Sequence, residues 1–178
     1  MSRSFDSARA ARFAYPLGLL LVLAPLLELA GRAWPLNWYL VQWRFQTELA
    51  IVNAAPVMLI GTLIIAVVAW ADESISTLKL VGILAVTFGV VLLPVAAMLG
   101  VDGMQLRQMA RAELRGPLRN NIIVSGLRAG LAALAAIGLG IGAMNAAKGL
   151  VSPVVTKRAA GRQPEGESTT PLLVGQDD

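Results

Sequence analysis

Two residues able to do chemistry stand out by position. Glu28 and Arg128 are the charges that interrupt four long apolar runs. A carboxylate held in an apolar run can carry a proton or clasp a cation, and a guanidinium in the same setting can answer that carboxylate. Little other chemistry is on offer. With no His and no Cys, the usual haem and zinc ligands, thiolate nucleophiles and the commonest general base are missing. The glycines of the last run lack the Lys-Ser/Thr ending of a phosphate-binding loop and follow no strand. Asp72-Glu73 reads as a solvated turn rather than an acid/base pair. The residues therefore assign no catalytic, metal or cofactor-binding position, and the expectation is a protein that is not an enzyme.

The elements that position these charges are the runs themselves: Phe13–Gly31, Ile51–Ala71, Leu80–Val101 and Ile122–Met144. Each is close to the ~20 residues that cross a ~30 Å hydrocarbon core as a helix. The chain of 178 residues is 56% hydrophobic and 15% charged, well below the charge of soluble domains. The expected fold is all-α: a polytopic four-transmembrane-helix bundle over 13–145, with a basic leader at 1–12 and a polar, disordered tail at 146–178. Pro25 should kink or break the first span. A net charge of +4 points to anionic lipid head groups rather than nucleic acid, because the arginines lie beside spans.

Four groups of residues carry the surface reading. Trp34, Trp38, Tyr39 and Trp43 cluster in one short stretch, where rings with a polar handle mark the head-group level; a substrate groove is the alternative. Arg107, Arg111 and Arg115 recur every fourth residue and predict an amphipathic interfacial helix ended by Gly116-Pro117. With Arg119 they form a surface for anionic lipid or an acidic partner. Gly126/Gly130 and Gly138/Gly142 are two GxxxG pairs, a spacing that lets membrane helices approach closely. They fit an interface with another subunit, a homo-oligomer contact, or packing within the bundle.

If all four runs span, Glu28 and Arg128 fall on one membrane side, which predicts an ion pair clasping the first span to the last. Separate snorkelling of each to the head groups is the plainer option. Flanking Lys and Arg slightly favour both termini on the cytoplasmic side of a bacterial inner membrane or thylakoid.

Pro35-Leu36-Asn37, Trp43-Arg44-Phe45-Gln46 and Pro56-Val57-Met58-Leu59-Ile60-Gly61 resemble the HpsJ-like membrane proteins of cyanobacteria over roughly residues 15–145. Asp72-Glu73 and the Asp102 exit from the third span look similar too. The resemblance implies a non-catalytic protein linked to polysaccharide export or membrane organisation, and it supplies no site residues. The functional expectation is an accessory or assembly subunit beside a larger membrane complex. The alternative is a small transporter or a lipid- or pigment-binding protein using the aromatic segment 34–45.

Overall fold

The computed structural model describes the backbone of residues 3–160 and the side chains of 13–150. Four helices follow in order: α1 (Arg3–Ala33), α2 (Val41–Ala71), α3 (Ile75–Met109) and α4 (Arg115–Ala160). A 3₁₀ turn, Ala112–Leu114, lies between α3 and α4. All four helices contain a stretch long and apolar enough to cross a membrane. The chain is an all-α integral membrane protein.

The helices outrun the apolar runs at most ends. α3 has 35 residues, about 52 Å at 1.5 Å per residue, and so exceeds a ~30 Å hydrocarbon core. Hydropathy marks the part of a helix that lies in lipid, whereas backbone hydrogen bonding carries the helix beyond it. Three expectations change accordingly. Pro25 lies inside a continuous α1 and does not break it, as membrane helices tolerate a proline. Residues 146–160 continue α4 rather than starting a tail; the remainder of the proposed tail, from 161 on, lies outside the described residues. Finally, α1 already begins at Arg3, inside the expected leader, whose side chains fall outside the described ones.

Gly116-Pro117 also reverses its meaning. It sits in the first turn of α4, where a proline's missing N–H has no partner to lose. The arginine stripe is broken as a result. Arg107 ends α3, Arg111 lies in the connector, and Arg115 and Arg119 belong to α4. No single helix presents them, so the expected amphipathic helix does not form.

Helices α2, α3 and α4 pack together around a core in three layers. Phe45, Val52, Leu99 and Ala129 form one layer. Ala55, Leu92, Ala132 and Ala133 form the next; Ala69, Leu78, Ala143 and Ala147 form the last. The α4 contribution is alanine at helical spacing, which brings backbones close. Where it approaches α3 most closely, a Cβ on Gly140 would lie 2.6 Å from the Gly82 carbonyl oxygen, and one on Gly82 would lie 2.9 Å from that of Gly140. Only glycine fits there. α1 packs on α2 through a similar contact, a Cβ on Gly61 falling 2.7 Å from the Gly18 carbonyl oxygen.

The α2–α3 turn closes with a Schellman motif. Ser74 N–H donates to the Ala69 carbonyl and Glu73 N–H to that of Trp70, with Glu73 in the left-handed region at φ 53°.

Candidate functional site

The two intramembrane charges do not pair with each other. The Arg32 Nη2 donates to Glu28 Oε1 at 2.6 Å, one helical turn away and exposed. Arg128 Nη1 instead donates to Asn53 Oδ1 on α2 at 3.0 Å. The expected Glu28–Arg128 clasp is therefore corrected. An i,i+4 partner on the same helix satisfies Glu28 without a second element being ordered, and Asn53 satisfies the guanidinium of Arg128 as a neutral acceptor.

The charges that are buried lie elsewhere. Arg44, near the start of α2, grips Asp102 of α3 with both arms: Nε to Oδ2 at 2.8 Å and Nη2 to Oδ1 at 2.9 Å. Its Nη1 donates to the Trp38 carbonyl at 3.2 Å, tying the α1–α2 connector to the same point. The Asp102 side chain is only 4% exposed and that of Arg44 27%. The fork of a guanidinium matches a carboxylate in two parallel bonds, which fixes geometry as well as adding energy.

Glu48, one turn beyond Arg44, is buried as well, and its Oε2 has no hydrogen-bond partner among the described residues. It stands between Phe45 and Val52 of the first core layer, and Asp102 lies one turn beyond Leu99 of that same layer. The arrangement sets two carboxyl groups against one guanidinium at one end of the bundle. It staples α2 to α3 and leaves a carboxyl oxygen unsatisfied in an apolar layer. Among the described residues, no three His, Cys, Asp or Glu side chains gather as metal ligands.

The aromatic residues divide. Trp38 and Trp43 meet edge to face with ring centroids 5.3 Å apart, a favourable aromatic geometry. Trp34 and Tyr39 are exposed, as is Trp38 itself. Trp43 does border a cleft of about 400 Å³, with Arg32, Gln46, Thr47 and Asn53 on its walls.

The GxxxG pairs do not hold the bundle together. A Cβ at Gly126, Gly130, Gly138 or Gly142 would meet nothing within 4 Å. The seam uses Gly140, Ala129, Ala133, Ala136 and Ala143 instead. At 3.6 residues per turn, Gly138 and Gly142 lie on the side of α4 opposite that seam, and both are exposed.

Sequence reasoning passed over Glu48 and read Arg44 and Asp102 as flanking charges at span ends. A signal was available: Arg44 and Glu48 are spaced i,i+4, in phase with the apolar residues Phe45 and Val52 of one helix face. Asn53, a lone amide among apolar neighbours, was a second. No protein-family model, curated protein or solved structure matches this chain.

Proposed function

We propose that this chain is a non-enzymatic accessory or assembly subunit that packs in the membrane against a larger complex. The observation that supports it most is the outward glycine pair of α4. Gly138 and Gly142 are open to added volume, so intramolecular packing gives no reason for glycine there, whereas a partner helix approaching closely would. Leu131, on the same face two turns before Gly138, and Leu134 to one side of it are exposed, offering side chains to a partner. Arg107, Arg111, Arg115 and Arg119 would supply polar contacts at one end, to a partner or to anionic lipid. The reading places both termini on the cytoplasmic side of a bacterial inner membrane or thylakoid, and it agrees with what the HpsJ-like resemblance implies.

The test is isolation of the full chain from its native membrane in mild detergent. A companion, or a second copy of the chain, should travel with it at fixed stoichiometry. Gly138→Leu and Gly142→Leu should each disperse that assembly while leaving the monomer folded, because both positions have room. An assembly untouched by both substitutions, or a chain that travels alone, would refute the proposal.

A further inference from the structure

α1 leans on α2, and this leaves the face of α2 between α1 and α4 as an open groove. Its polar end gathers unusual residues for lipid depth. Arg32 and Glu28 come from the end of α1, Asn53 from α2 and Arg128 from α4. Arg32 and Asn53 both line the cleft of about 400 Å³. Together with Glu28 they also line a smaller one beside it, of about 240 Å³. Arg128 joins them by its hydrogen bond to Asn53.

On the other side, Arg128 borders an apolar groove of about 450 Å³ between α2 and α4, lined by Pro56, Leu59, Leu127, Leu131 and Ala135. The level is that of the head groups: Trp43 lines the larger cleft, and the Trp38 it meets edge to face lies in the connector just before α2.

We infer that this groove seats one anionic phospholipid, its phosphodiester between Arg32 and Arg128 above Asn53 and an acyl chain along Pro56–Ala135. Three features converge on that occupant. The notch holds two guanidiniums and one carboxylate, a balance of one positive charge, which matches the single negative charge of a phosphodiester. Guanidinium groups recognise phosphate oxygens in two parallel bonds, and among the described residues Arg128 makes no ion pair that would compete. The apolar groove beginning at that same arginine gives the ligand a hydrocarbon chain, which a free phosphate lacks. The apolar groove shares Leu131 with the face that carries Gly138 and Gly142, but the polar notch of Arg32, Asn53 and Arg128 uses none of those glycines and needs no partner protein.

The test uses the full chain purified in mild detergent, stripped of lipid and titrated with phosphatidylglycerol or phosphatidylcholine, with bound lipids counted by native mass spectrometry. One phosphatidylglycerol should be retained in preference to phosphatidylcholine. Arg128→Gln and Arg32→Gln should each weaken it about fivefold, the scale of one basic side chain at a lipid surface. Lys79→Gln, at the other end of the bundle, should not. Arg32 is exposed at a helix end, so its variant reports even if Arg128→Gln impairs folding. Equal retention of the two lipids, no retained lipid, or equal loss in the Lys79 variant would overturn the site.

Discussion

Gly138 and Gly140 are two residues apart on one helix, and the structure assigns them opposite tolerance to a single methyl group. At Gly140 the added Cβ would lie 2.6 Å from the Gly82 carbonyl oxygen and 2.6 Å from the Val86 Cγ2, where ordinary contact starts at 3.4 Å. Val86 can turn aside, but the carbonyl is backbone and cannot. The α3–α4 seam must therefore open by about 0.8 Å at that point, from the same two distances.

A radial gap of 0.5–1 Å forfeits a quarter to a half of each dispersion contact it touches. That loss spreads to the neighbouring Ala136 and Ala143 layers. Overpacking of this kind costs about 3 kcal/mol when the backbone has to move, a change of more than a hundredfold in the folding equilibrium. At Gly138 the same methyl meets nothing within 4 Å, and replacing a mid-helix glycine by alanine gains up to about 1 kcal/mol. Unfolding of the purified monomer in mixed micelles, followed by tryptophan fluorescence, measures both. Gly140→Ala should unfold at clearly lower denaturing detergent than the parent, and Gly138→Ala at the same level or higher. Equal effects at the two positions would refute the packing argument.

Other outcomes follow from the same geometry. Asp102→Ala should lower the stability of the bundle, since it removes the buried carboxylate that Arg44 grips with both arms between α2 and α3; the same micelle unfolding reads this. Glu28→Gln should leave stability within experimental error, because its ion pair with Arg32 is exposed on both sides. Glu73→Gly should raise stability by about 1 kcal/mol, the cost of the left-handed conformation that Glu73 adopts in its Schellman turn. Gly61→Leu should detach α1 from α2, seen as loss of cross-linking between cysteines introduced at Val22 and Thr62, which border one groove, with the three core layers unchanged.

The spans were legible because an uninterrupted apolar run of that length is stable as a helix in a bilayer and has little use outside one. Their ends were not, since residues such as Trp43, Glu48 and Asp102 are helical yet polar, and hydropathy reports depth rather than backbone hydrogen bonding. Pro117 shows the same ambiguity: one residue stops a helix or starts one, and the choice depends on what the preceding turn does. Glu28 and Arg128 were conspicuous as the charges inside apolar runs, but conspicuousness says nothing of distance. Arg32, one turn away, reached Glu28 first. The small-residue composition of α4 was equally plain, whereas its phase was not. Gly140, outside both GxxxG pairs, faces α3, and the motif glycines do not, because the seam follows the alanines at 129, 133, 136 and 143.

The way α1 rests on α2 has a consequence for how the protein is made. During synthesis α1 leaves the ribosome before α2, the helix it packs on, exists, so it enters the bilayer without that neighbour. Its Glu28–Arg32 pair sets one charge against another within the helix itself, with no help from a later segment, whereas Arg44 of α2 has no carboxylate to grip until Asp102 of α3 is made. The pair at the end of α1 thus forms with its own helix, and the pair between α2 and α3 forms only when the hairpin closes.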